Sequence, residues 1–274
     1  MSIDLRGRPI AITGASSGIG LATAIACARE GMPVVLAARR LDKLETAVQS
    51  IRAAGGKALA VACNVDSQQD CDALIARTVQ EFGSLYAIFA NAGYGLDSSV
   101  LNASDEAVRA IFETNFYGTL RTIRPAIAHM QSSPIRSGDK ARGHVLICSS
   151  CVSKLGIPHL SAYSATKAAQ DHIGRALRIE LASSSIKVST VHPIGTSTEF
   201  GTSMRAAQGQ ASKSIIKRTP AMFMQSPEVV ARAVVRCLKR PKGEVWTSLP
   251  TRLLAGLLVA FPAATDALLK RKFG

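Results

Sequence analysis

The sequence predicts an α/β protein: one doubly wound domain, with a parallel sheet of about seven strands and helices on both faces. Three observations carry this. Short apolar runs alternate with longer helical patterns along the chain, the order that builds parallel sheets through crossover helices. The runs are rich in Val, Ile and Ala without polar alternation, as strands buried on both faces are. The 274 residues, 47% apolar, contain no linker or composition break, which is enough chain for one large core.

The elements follow in order. Pro9–Thr13 is the first strand, and Thr13-Gly14-Ala15-Ser16-Ser17-Gly18-Ile19-Gly20 turns it into a helix over 18–30. Small residues let a backbone turn sharply and approach a phosphate, and the helix start offers free N–H groups. The spacing is Gly-xxx-Gly-x-Gly rather than the commoner Gly-x-Gly-xx-Gly. The second strand, Val34–Ala37, runs into Ala38-Arg39-Arg40. An NAD site places Asp or Glu here for the ribose hydroxyls, whereas a guanidinium suits a 2′-phosphate. NADP(H) is therefore the expected cofactor, with Arg39 and Arg40 beside it. Helices at 41–54 and 67–82 flank a third strand, Ala58–Cys63, and the fourth strand is Tyr86–Ala90. One helix is expected over 104–131, then an exposed, turn-rich loop at Ser132–Arg142.

The fifth strand, Val145–Cys148, leads to Ser150, at the strand edge where such sheets bind ligands. Thirteen residues later a helix over 162–183 opens on Tyr163-Ser164-Ala165-Thr166-Lys167. Positions four apart share a helix face, so phenol and ammonium reach one site. A nearby cation lowers a tyrosine pKa from about 10 and makes it a general acid or base. The sixth strand is Val188–Val191. Residues 195–226 carry little strand pattern and hold Met204, Met222, Phe223 and Met224, as a binding lid or a packed loop would. A helix at 227–239 and a strand at Val245–Trp246 close the domain.

Together these motifs resemble the short-chain dehydrogenase/reductase superfamily, from Pro9 to Trp246: TGASSGIG, Asn91-Ala92-Gly93, Asn115, Ser150 and YSATK stand in that family's order. The resemblance implies a Rossmann-type oxidoreductase domain over 1–250, with a substrate loop at about 194–226. It implies that Tyr163 exchanges the proton with the substrate oxygen and that Ser150, rather than Ser149, bonds that oxygen. Lys167 would hold the nicotinamide ribose, and Asn115 would position a water in the proton relay. Gly14, Ser16, Ser17, Gly18, Ile19, Gly20, Arg39, Arg40, Asn64, Val65, Asn91, Ala92, Gly93, Pro193, Thr196 and Thr198 would line the cofactor together with Tyr163 and Lys167. Two departures stand out. Asn64-Val65 replaces the family's Asp-Val, and Pro193-Ile194 replaces Pro-Gly.

The expected substrate pocket is Ser150, Cys151, Val152, Tyr94, Leu155 and Phe200. It has no cation for an anionic group, so an uncharged, apolar carbonyl or secondary alcohol is expected. A carbonyl reductase is the first reading. A non-catalytic NADP(H)-binding redox sensor or regulator on the same fold is the alternative, and an epimerase or dehydratase a third. Loss of Tyr163, Lys167 or Ser150 would have favoured the sensor, and all three are present. No metal is expected.

Net charge is +14, with thirteen Lys or Arg against three acidic residues after Gly201. No zinc-finger or RNA-binding aromatic signature accompanies it, so nucleic acid is not an expected partner. Residues 251–274 form a basic amphipathic helical tail, broken or kinked at Pro262. Residues 252–273 could meet an anionic membrane surface, a partner or the protein itself. A homodimer or homotetramer is implied through the helices at 104–131 and 162–183. Met1–Ile12 lacks a secretory pattern. The six cysteines show no CxxC and are expected as reduced thiols in a cytoplasmic protein.

Overall fold

Seven strands form one sheet. They are β1 (Ile10–Thr13), β2 (Val34–Ala38), β3 (Ala58–Ala62), β4 (Ala87–Ala90), β5 (Gly143–Cys148), β6 (Ile186–His192) and β7 (Glu244–Trp246). Their spatial order is β3-β2-β1-β4-β5-β6-β7, and every neighbouring pair is parallel. The computed structural model describes residues 2–136, 140–197, 205–206 and 224–273. Its helices are α1 (Gly18–Arg29), α2 (Leu41–Ala53), α3 (Gln68–Phe82), α4 (Asp105–Phe112), α5 (Gly118–Ser132), α6 (Ser161–Glu180), α7 (Pro227–Lys239), α8 (Leu249–Ala260) and α9 (Pro262–Phe273).

The strand sequences explain the two covered faces. Successive side chains of a strand point to opposite sides, so Ile10 and Ile12 join one cluster while Ala11 joins the other. The first cluster packs Leu36 and Phe89 against Ala24, Cys27, Leu44 and Val234 of α1, α2 and α7. The second packs Val35, Ile88 and Val145 against Leu74, Ile123 and Met130 of α3 and α5. The chain runs outward from β1 in one direction and from β4 in the other. The crevice beyond these two central strands is where such sheets bind ligands.

The helix expected over 104–131 is interrupted. A π turn, Glu113–Tyr117, separates α4 from α5, and Asn115 lies inside it, fully buried. π bulges occur where a backbone group is drawn out of the helical ladder, and the Asn115 carbonyl is bonded elsewhere, as described below. The two ends of the 195–226 stretch are tied together, because Gly195 and Thr196 pair with Met224 and Gln225.

The tail consists of two helices. α8 and α9 meet at a bend of 109°, at Pro262, as expected. Leu253, Leu257 and Phe261 are each about 60% exposed, while Ala255 and Thr265 are buried. Among the described residues, no single helix is long and apolar enough to cross a membrane. Of the six cysteines, all free, five are buried and Cys151 is half-buried.

Candidate active site

The glycine turn sits at the β1–β4 crevice, and its glycines are required by contact. Gly14 has a φ of +66°, and a Cβ there would lie 2.9 Å from the Ala92 Cα. A Cβ on Gly20 would lie 2.5 Å from the Gly14 carbonyl oxygen. The turn is clamped from β4: Thr13 Oγ1 accepts from the Asn91 and Ala92 N–H groups at 3.1 and 3.2 Å. Asn91 Nδ2 donates to the Thr13 carbonyl at 3.0 Å. Behind the turn, α1 starts without a side-chain cap on its first N–H groups. The cradle this leaves is open to a phosphate.

Of the two arginines, Arg40 reaches the turn. Its Nη2 donates to Ser16 Oγ at 2.8 Å and to Ser17 Oγ at 3.2 Å. Both Arg39 and Arg40 are exposed. The residues therefore fit a nicotinamide dinucleotide: a tight glycine turn before uncapped helix N–H groups, with a guanidinium at its rim. Farther along the crevice, Val65 is buried, and a Cβ on Gly118 would meet its Cγ2 at 2.8 Å. Asn64 Oδ1 accepts from the Asp66 N–H at 3.3 Å.

At the end of β5 the two serines divide their tasks. Ser149 Oγ donates to the Lys167 carbonyl at 2.9 Å and so ties strand to helix. Ser150 Oγ accepts from the Val152 N–H at 3.3 Å, capping the 3-10 turn Cys151–Lys154. Ser150 also shares a hydrogen bond with the Tyr163 phenol. Tyr163 lies in the first turn of α6, and the Lys167 Nζ is 5.7 Å from its ring centroid. Lys167, 4% exposed, donates to the Cys148 carbonyl at 2.7 Å and to Gln170 Oε1 at 2.9 Å.

The expected lowering of the tyrosine pKa is not found in the protein alone. Burial pushes Tyr163 up, the neighbouring Cys148 adds to this, and a hydrogen bond with Ser150 opposes it. Burial likewise lowers Lys167. The physical reason is that desolvation penalises both charged forms.

Asn115 is saturated by protein groups. Its Oδ1 accepts from the Tyr94 N–H at 3.0 Å, and its Nδ2 donates to the Tyr94 carbonyl at 2.9 Å and to Thr166 Oγ1 at 3.1 Å. Its backbone carbonyl accepts from Gln170 Nε2 at 2.6 Å and from Thr119 Oγ1 at 2.7 Å. A carbonyl oxygen has two lone pairs, and these two side chains occupy both. Gly93 passes close by, since a Cβ there would lie 2.8 Å from Asn115 Oδ1.

Cys151, Val152, Leu155 and Tyr94 are half-buried. Pro193 is buried, and its carbonyl accepts from the Cys151 N–H at 2.9 Å. Thr196 Oγ1 donates to the Ile194 carbonyl at 2.8 Å. Thr198, Phe200, Met204, Met222 and Phe223 lie outside the described residues. Sequence reasoning missed Thr13, Thr119, Thr166 and Gln170. The signal for Gln170 was its place three residues after Lys167, on the same helix face.

Behind Ser150 lies a buried polar cluster. Asp171 is bonded by Lys154 and lies 3.3 Å from His192 Nε2. Lys154 also reaches Glu244 at 3.7 Å and so supplies the cation between the two carboxylates. His192 stacks on Trp246 with ring centroids 4.5 Å apart, and its Nδ1 lies 3.2 Å from the Ser150 carbonyl oxygen. Burial would raise the Asp171 pKa, but the bonds from His192 and Lys154 hold it well below the usual carboxylate range. A depressed folded-state pKa stabilises above the unfolded value of about 3.9, and that contribution is lost as pH falls below it. Asp171→Asn is therefore expected to cost about 3 kcal/mol at pH 7, the low end for breaking a buried pair. Thermal melts of the two proteins should converge as pH falls below about 4. Equal melting temperatures at pH 7 would remove this role.

A family profile described as short chain dehydrogenase matches residues 8–209. An uncharacterised oxidoreductase of Listeria innocua is 34% identical over 200 residues, 72% of this chain and 78% of that one. The chain also matches a glycine betaine reductase of Emericella nidulans, at 31% identity over 87% of this chain, and spans 18% of that protein's length. A short-chain dehydrogenase/reductase from Burkholderia phymatum, solved with NAD, shares the fold at TM-score 0.85 and 22% identity, over 96% of each chain. An alcohol dehydrogenase from Thermococcus sibiricus, complexed with 5-hydroxy-NADP, gives 0.74 at 27% identity, over 87% of this chain and 95% of that one.

Proposed function

The chain belongs to the short-chain dehydrogenase/reductase family of oxidoreductases, and we propose that it uses NADP(H) to interconvert an uncharged, apolar carbonyl compound and its secondary alcohol. The observation that supports this most is the pair of bonds from Ser149 Oγ to the Lys167 carbonyl and from Lys167 Nζ to the Cys148 carbonyl. They hold the end of β5 against the start of α6, where Tyr163 neighbours both Ser150 and Lys167.

When bound, the nicotinamide donates or accepts the hydride. The chain's own residues do the rest. Ser150 Oγ bonds the substrate oxygen and orients it. Tyr163, whose pKa burial raises, is a protonated phenol at neutral pH and gives that proton to the oxygen during reduction. In the reverse direction the phenolate removes the alcohol proton. The Lys167 ammonium favours that phenolate electrostatically. Gly14 and Gly20 allow the tight turn that brings the uncapped start of α1 to the pyrophosphate, and Arg39 and Arg40 favour a 2′-phosphate. The half-buried Cys151, Val152 and Leu155 favour apolar substrate groups.

Self-association through α4–α5 and α6 belongs to the same reading, supported by Tyr117 and Ile179 at 48% and 78% exposure. A lipid-surface contact through α8 and α9 is supported by the exposed Leu253, Leu257 and Phe261, with Lys270 and Arg271 at the end.

The test is cofactor oxidation by purified protein against aliphatic and aromatic aldehydes, diketones, quinones and steroid ketones. Turnover is expected with NADPH and to a smaller extent with NADH. A preference for NADH would overturn the assignment of the arginines. Tight NADPH binding with no turnover across the panel would favour the sensing or regulatory alternative.

A further inference from the structure

Gln170 belongs to a buried polar network. Gln170, Asn115 and Thr166 are fully buried, and Thr119 and Lys167 are 2% and 4% exposed. The amide orientation follows from its neighbours. An ammonium only donates, so the Gln170 atom 2.9 Å from Lys167 Nζ is the oxygen. The amide nitrogen then faces the other way, and its two N–H groups reach the Asn115 carbonyl at 2.6 Å and Thr119 Oγ1 at 2.7 Å. Thr119 in turn donates to the same carbonyl. Every donor and acceptor of the amide except one oxygen lone pair is used.

We propose that Gln170 is a positioning residue, whose amide links the Lys167 ammonium to the Asn115 carbonyl and fixes that ammonium beside Tyr163. The inference rests on the reading of Tyr163 and Lys167 as the acid/base pair. Two of the three ammonium N–H groups are committed, to Cys148 and to Gln170. The third is left for the site. The network holds positive charge in place. Gln170 Oε1 is one of two neutral acceptors that stabilise a cation in a buried position, where an unpaired charge is costly.

The other titratable groups near the pair are the Cys148 thiol at the end of β5 and the Cys151 thiol on the 3-10 turn. Burial pushes both up, so they stay neutral through the assay range. The groups that α5 and the π turn present, Thr119 and Asn115, carry no charge.

The experiment compares Gln170→Leu and Gln170→Glu with the unaltered protein. Leu fills a similar volume and removes the acceptor. Glu restores an acceptor for Lys167 and removes the two donors. The Lys167 ε-carbon is titrated by carbon NMR, with its resonance assigned by loss in Lys167→Arg. A hydrogen bond to a charged group corresponds to about one pKa unit. Q170L is therefore expected to titrate about one unit lower, and Q170E at or above the unaltered midpoint. In alcohol oxidation, the pH of half-maximal kcat/KM should rise in Q170L and return in Q170E.

A Q170L midpoint equal to that of the unaltered protein would overturn the proposal. So would a Q170E midpoint as low as that of Q170L, which marks a purely packing role. If Q170L does not fold, the Q170E comparison decides alone, since a midpoint below the unaltered protein's overturns the assignment. Absence of turnover in the unaltered protein would count against the oxidoreductase reading, and the Lys167 titration would still report on Gln170.

Discussion

Tyr163→Phe is expected to lower kcat for carbonyl reduction about 1,000-fold, within the range for loss of a positioned general acid. The ring is kept, so the packing of α6 on the 3-10 turn survives. What is lost is the one oxygen that faces Ser150 with an exchangeable proton. Burial raises the Tyr163 pKa, and this fixes the direction of the pH dependence. The phenol is protonated across the neutral range, so reduction should stay flat there and decline only in alkali. Oxidation needs the phenolate and should climb with pH. KM for the cofactor should change less than about threefold, because an interaction made with the reacting oxygen appears in kcat. Steady-state rates of the variant and the unaltered protein, in both directions and across pH, check this. A variant keeping about a tenth of kcat would show that another group supplies the proton.

The fold was readable because its determinants are local. Ile10-Ala11-Ile12 and Val34–Ala37 carry apolar residues at every position, and each strand buries both faces in the structure. Gly14 and Gly20 were readable for the same reason, as their spacing is dictated by a turn of a few residues. The break at Glu113–Tyr117 was not. It depends on groups that meet Asn115 from Tyr94, Thr166 and Gln170, which lie 21 to 55 residues away in the chain. No helical periodicity registers such contacts. The exposure of α8 and α9 was hidden as well, since an apolar helix reads the same whether it is covered or bare. The two adjacent arginines differ only in side-chain direction, which sequence spacing cannot carry. It was Arg40 that reached Ser16 and Ser17.

That difference sets the second large effect. Replacing both Arg39 and Arg40 by Ala is expected to weaken NADPH binding about 100-fold, with NADH binding changed less than about threefold. Two charge-assisted hydrogen bonds of about 1.5 kcal/mol each give that figure, the low end of their range. The low end applies because both guanidinium groups are exposed and screened by salt. The discrimination between the two cofactors should therefore shrink as ionic strength rises. Arg40→Ala alone should account for the larger share, since its guanidinium is already held 2.8 Å from Ser16 Oγ at the rim of the glycine turn. Arg39 has to be ordered on binding, which costs side-chain entropy. Equilibrium titration of both cofactors against the two single variants and the double variant separates these contributions. An equal loss for NADH and NADPH in Arg40→Ala would mean that Arg40 holds the turn through Ser16 and Ser17 and does not select a phosphate.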